Sequence, residues 1–354
     1  MSVALSGPAQ ALGKGMQLGV DTYFDKINKS GGVQGRLLRF VVLDDGYEPK
    51  QAAINMRRLI DDEGVVAVVG NVGTPTAVVT VPITNEKRSL LFGAFTGADL
   101  LRKTPPDRYV INFRSSYAEE TEAMIKALRK QGVRPEEIAF FTQNDGYGDA
   151  GYQGAMKALK AGGFANPERL SHGRYTRNTL NVEAGLATIL DASVTPKAII
   201  MVGTYEPCAK FIKLAKQDFP GVQFLNVSFV GSLPLAKELG KDGDGVIITQ
   251  VVPHFDSSLF GVQEYRNDLN DFNPGNSPDF ISLEGYLVAK IFVEGIKKAV
   301  PDLNRETLVN AIESLTNLDI GIGISINYSK NEHQGSHRVW PTVIRNGRFE
   351  SLEW

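Results

Sequence analysis

Short apolar runs without polar alternation recur along the chain, and most are followed by a stretch with helical spacing. RLLRFVVLDD (36–45) precedes EPKQAAINMRRLIDDEG, then come VVAVVG (65–70), a Thr/Val segment and SLLFGAF (89–95). The rhythm repeats with EEIAFFTQ, a helix expected from about Tyr147 to Ala161, PKAIIMVG, a helix from about Pro207 to Gln217, VQFLNVSFVG and GVIITQVV. Uniformly apolar strands alternating with helices predict parallel sheets covered on both faces.

Ten or more strand candidates exceed one comfortable open sheet, whereas two lobes of five to six strands each match common dimensions. A length of 354 residues also suggests two domains. The expected fold class is therefore α/β, with two doubly wound (Rossmann-like) parallel-sheet lobes. Crossings near residues 115, 252 and 327 give lobe 1 as 1–115 plus 253–326 and lobe 2 as 116–252 plus 327–354, a three-crossing hinge with a ligand cleft between the lobes.

Ligands of open parallel sheets sit at the carboxyl ends of the strands. That rule selects NVGTPTAV, with Gly73 and Thr74 where a helix begins, and GAFTGAD, with Thr96, Gly97 and Ala98 next door. Backbone N–H groups and a threonine hydroxyl aimed at one point suit an anion such as a carboxylate. The alternative is that the threonines are plain N-caps and the glycines merely allow turns.

In the other lobe QNDGYGDAG and GTYEPCA occupy matching strand-to-helix loops. Tyr147 and Tyr205 are each flanked there by residues too small to bury them, so each is a candidate ligand wall, or else packs over its own helix. In SLEGYLVAKIFVEGIKKAV, Ile281, Gly285, Val288, Phe292 and Gly295 share an apolar face, with Glu284 just inside its edge. A carboxylate there is costly unless it caps the helix or meets a cation, so Glu284 invites a positively charged ligand group.

Composition narrows the chemistry. Charged residues make up 22%, hydrophobic residues 42%, and the formal net charge is −2, which points to neither nucleic acid nor an anionic membrane. Cys208 is the only cysteine, so a Cys-based zinc site, a redox pair and an internal disulfide are all ruled out. The four histidines are scattered, and His333 and His337 would form a metal site only on a helix. GKGMQLG lacks the phosphate-loop spacing and no G-x-S-x-G elbow exists, so no cofactor is expected and an enzyme is disfavoured. Apolar runs stop short of a spanning helix, and MSVALSGPAQ has no basic region leading into an apolar one.

The chain resembles the type I periplasmic solute-binding proteins of ABC transporters, in the branch related to leucine/isoleucine/valine-binding proteins. SGPAQALGKGMQLGVDTYFDKINKSGGVQGR, DDGYEPKQA, GNVGTPTA, GAFTGADLLR, NDGYGDAG, the GTYEP loop and LEGYLVAK carry the resemblance over nearly the full length.

The resemblance implies a monomeric, non-enzymatic receptor, periplasmic or extracellular with its signal peptide removed. It would close two lobes around a small carboxylate, an amino acid or analogue, and deliver it to a membrane permease. The carboxylate would meet Thr74 and the loop Thr96 to Gly97, with Tyr147 and Tyr205 in the second lobe's surface. Tyr286 matches the family's cleft aromatic, whereas helical phase favours Glu284. Two departures leave the ligand open. Leu233 stands where an ammonium-binding acid is expected, with Glu238 further along. Leu12 replaces an aromatic, while Tyr47 and Gly73 replace the cysteines of some relatives. The rival reading is an amide- or amino-acid-sensing regulator with the same lobes.

Overall fold

The computed structural model describes residues 1–354. The chain begins with β1 (Ser2–Val3), α1 (Gln10–Lys29), β2 (Leu43–Asp44), α2 (Pro49–Arg57), β3 (Ala67–Val69), α3 (Thr74–Lys87), β4 (Leu90–Phe92) and β5 (Val110–Ile111). It continues with α4 (Tyr117–Lys130), β6 (Ile138–Gln143), α5 (Gly146–Ala161), β7 (His172–Tyr175), α6 (Glu183–Leu190) and β8 (Ala198–Val202). Next come α7 (Tyr205–Asp218), β9 (Gln223–Asn226), α8 (Ser232–Leu239) and β10 (Ile247–Gln250). The last elements are α9 (Phe260–Phe272), α10 (Phe280–Ala299), α11 (Arg305–Glu313), β11 (Leu318–Asp319), β12 (Ser325–Ile326), β13 (Trp340–Arg345) and β14 (Arg348–Ser351).

Two compact units result. The first holds Met1–Thr96, Leu100–Ser115 and Val252–Arg338; the second holds Gly97–Asp99, Ser116–Val251 and Val339–Trp354. The last crossing therefore falls after Arg338, not near residue 327 as the apolar pattern suggested. Backbone bonding explains the shift. Tyr328 N–H donates to Leu315 O (2.8 Å), Asn112 N–H to His333 O (2.7 Å) and Ser336 N–H to Phe113 O (2.8 Å), which ties this stretch to the first unit.

In the first unit β3, β4 and β5 form a parallel sheet, and β1 pairs with β2 in a separate parallel pair. The expected strand at 36–45 shrinks to Leu43–Asp44, because only there does a neighbouring strand supply a ladder. α10 packs against α1, α9 and α11 and is buried on nearly every face, so the apolar stripe read from its sequence understates its burial. The second unit is a single seven-stranded sheet in the order β14-β13-β10-β9-β8-β6-β7, larger than the five to six strands expected. Its five β10-to-β7 strands run parallel, and the β13–β14 hairpin adds antiparallel to β10.

Helix starts are set by local side chains. Ser116 and Glu119 form a reciprocal capping box at α4, and Asp279 Oδ1 accepts the Ser282 N–H (2.6 Å) at α10. Asp145 Oδ1 does the same for the Tyr147 N–H (3.0 Å) at α5.

Candidate ligand-binding loops

In the first unit the β3–β4 pairing runs on into the loops beyond the strands. A bridge joins Val72 to Phe95, with Phe95 N–H donating to Asn71 O (2.8 Å) and Gly73 N–H to Phe95 O (3.1 Å). The two loops are thereby held in register, and the hydroxyls of Thr74 and Thr96 meet at 2.6 Å, both fully buried. Thr74 is the first residue of α3, so the hydroxyl pair lies where first-turn N–H groups lack intrahelical partners and the helix dipole favours an anion.

Gly73 precedes Thr74 with φ of 106°, a conformation closed to most L-residues, and a Cβ there would lie 2.3 Å from the Tyr47 ring. Tyr47 thus packs directly onto Gly73.

The same corner carries two charges. Arg114, just past β5, is fully buried, with its guanidinium 4.6 Å from the centre of the Phe95 ring. Its Nη1 stands 3.6 Å from Oε1 of Glu284, an ion pair rather than a hydrogen bond. Glu284 therefore has a cation from its own chain, and it is not the helix cap, since Asp279 takes that role. Arg102 binds this corner together: Nη1 donates to Thr96 O (3.2 Å), Nη2 to Arg114 O (3.0 Å) and Nε to Gln334 Oε1 (2.7 Å).

In the second unit Tyr147 and Tyr205 open α5 and α7, yet neither is the exposed wall expected. Tyr147 is fully buried and Tyr205 is 5% exposed. Larger neighbours, distant in sequence, cover Tyr147. Its ring sits 4.6 Å from Phe229 and 5.3 Å from Tyr117, and its hydroxyl donates to Gly203 O (3.2 Å) in the loop before α7. The Tyr175 hydroxyl accepts from Thr204 N–H (2.9 Å) and donates to Gln143 Oε1 (3.0 Å), while Gln143 and Arg177 both donate to Asp145 Oδ2 (2.8 and 3.2 Å). The starts of α5 and α7 are thus joined by one polar network.

Gly97 belongs to this unit. Its carbonyl accepts the Tyr117 N–H (2.8 Å), and an added Cβ would lie 2.6 Å from both that nitrogen and the Tyr117 ring. Tyr117 supplies a packing reason for a glycine that the sequence suggested for ligand access.

A family model described as "Periplasmic binding protein" matches residues 1–348. The chain belongs to the periplasmic binding protein family. A solved structure, a possible leucine/isoleucine/valine-binding protein from Rhodopirellula baltica SH 1, shares 47% identity with a TM-score of 0.97, covering 100% of this chain and 95% of that one. A substrate-binding periplasmic protein from Ralstonia solanacearum shares 28% identity with a TM-score of 0.90, covering 99% and 98%. A curated relative, the Leu/Ile/Val-binding protein of Escherichia coli K12, is 22% identical over 70% of this chain and 65% of its own length. The Leu/Ile/Val-binding protein homolog 3 of Brucella melitensis is 28% identical over 45% of this chain and 43% of its own. The chain thus spans less than two thirds of the curated relatives it matches.

Within this periplasmic binding protein Tyr286 does not join Glu284. Two residues along a helix differ by about 200°. The Tyr286 ring packs edge-on to Tyr23 (5.0 Å) and Tyr265 (5.4 Å), and its hydroxyl donates to Asp268. Leu233, at the departure from the family's acid, is 37% exposed on α8. Sequence reasoning missed Arg114 and Arg102. The available signal was an arginine closing the apolar strand VINFR.

Proposed function

We propose that this protein is the solute receptor of an ABC importer, working outside the cytoplasm as a monomer, and that it captures a small carboxylate, an amino acid or analogue. The observation that carries the reading is the Thr74–Thr96 hydroxyl pair at the start of α3, beside the buried Arg114. Hydroxyls, a helix start and a guanidinium together match a carboxylate's need for several donors. Family membership and the names of the Leu/Ile/Val-binding relatives support the same ligand class. No helix is long and apolar enough to cross a membrane, which agrees with delivery to a separate permease.

On this reading the second unit's Tyr147 and Tyr205 serve the remainder of the ligand. A ligand that shifts the units toward a closed state must gain contacts in both.

The test is thermal unfolding after unfolding and refolding to strip retained ligand, against amino acids, their deaminated 2-oxo analogues and small amides. Ligand at about 100 times its Kd adds roughly 2.7 kcal/mol of stability. Stabilisation by carboxylates, and none by amides, is expected. Amides acting alone would replace the receptor reading with that of an amide sensor.

A further inference from the structure

The first unit's parallel strands are split. β1–β2 and β3–β4–β5 are separate sheets, and between them lies a cavity of about 330 Å³. One wall is the extended segment 38–41, the other is 64–67, and the floor is apolar, formed by Phe24 of α1 with Phe292 and Ile296 of α10. The segment 38–41 has strand-forming residues but no strand beside it.

The ladder that would continue there is already begun. Asp45 N–H donates to Val3 O (2.9 Å), Leu43 N–H to Met1 O (3.0 Å), and the Met1 ammonium to Val41 O (2.8 Å). These are successive rungs of a parallel pair, with the ammonium standing where a peptide N–H would serve. The next rung runs from the Val41 N–H to a carbonyl two residues ahead of Met1. On the opposite wall, Gly70 N–H points to Phe92 O of β4, so alternation along β3 turns the Ala67 N–H toward the cavity. Met1 itself lines the cavity and is buried, and burial pulls its ammonium down to about 5. A neutral peptide group would sit there without that desolvation.

We propose that this cavity is a strand slot: it takes an extended apolar peptide, continuous with β1 and running ahead of Met1, which joins the two sheets of the first unit into one. The slot admits about five residues at roughly 3.3 Å each. β-branched residues suit it, since side chains on one face would meet Phe24, Phe292 and Ile296. The inference rests on the fold alone and is independent of the ligand.

The test compares the 354-residue chain with three versions carrying five added residues ahead of Met1: a Val/Ile/Thr sequence, a Gly/Ser sequence, and the Val/Ile/Thr sequence with proline at alternate positions. A fourth version is acetylated at Met1 without added residues. Melting temperature and amide hydrogen exchange at Val41 and Ala67 are read. The Val/Ile/Thr extension is expected to raise Tm by several degrees and slow exchange at both amides at least tenfold, while the Gly/Ser and proline versions do neither. Unchanged exchange with the Val/Ile/Thr extension overturns the proposal. So does an equal gain from Gly/Ser or from acetylation alone, which would trace the effect to the buried ammonium.

Discussion

Nη1 of Arg114 lies 3.6 Å from Oε1 of Glu284, and both side chains are shut away from solvent. Removing one partner leaves the other charge in a low-dielectric interior, at a cost of about 3–5 kcal/mol. Glu284→Gln and Arg114→Met are each expected to lower Tm in ligand-free protein. The Arg114→Met/Glu284→Met double variant recovers part of the loss, since no lone charge remains. Thermal unfolding of all four proteins checks this; strictly additive losses would show the two charges to be uncoupled.

The Thr74 and Thr96 hydroxyls meet at 2.6 Å at the start of α3. If they serve the ligand's carboxylate, each is a charge-assisted donor contributing about 1.5–3 kcal/mol. Thr74→Val and Thr96→Val should each weaken binding by about tenfold or more. Calorimetric titration with the best ligand of the panel measures it, and unchanged Kd in both variants would remove these hydroxyls from the site.

Tyr286 hydrogen-bonds Asp268, which also holds Lys26 at 2.8 Å. Tyr286→Phe deletes a bond to a carboxylate, worth roughly 1.5–3 kcal/mol, and lowers Tm accordingly. Ligand affinity should stay within a factor of two. A loss of affinity at unchanged Tm would return Tyr286 to the ligand site.

Two buried groups tilt stability with pH in opposite directions. Burial raises Asp45 to about 6, so the folded protein holds that proton more tightly than the unfolded chain does. Its contribution is fully present below about 4, the unfolded value, and is lost as pH rises through about 6. Burial, helped by the nearby Arg174 charge, lowers His172 to about 4. The contribution of its neutral ring is present above about 6.5 and is lost as pH falls toward 4. Stability measured from pH 4 to 7 should therefore fall less steeply with rising pH in Asp45→Asn than in the parent. His172→Phe should fall more steeply. Parallel profiles in all three proteins would contradict both shifts.

Much of the architecture was legible along the chain. Uniformly apolar runs alternating with helical stretches mean strands buried on both faces, and that period survives into both sheets. The strand-end rule also found Thr74 and Thr96, because loops that follow adjacent parallel strands must emerge side by side. Other features depended on distant partners. Glu284 read as a carboxylate awaiting an external cation, and only folding brought Arg114 to it. Tyr147 read as exposed because its chain neighbours are small, whereas Tyr117 and Phe229 cover it. The run at 36–45 has strand composition throughout, but strand pairing is a property of two segments, and only Leu43–Asp44 has a neighbour to pair with. Local pattern determined which segments are apolar and where helices begin. Tertiary structure decided which charges, rings and backbone edges find partners, since those energies depend on contacts that no single stretch of sequence contains.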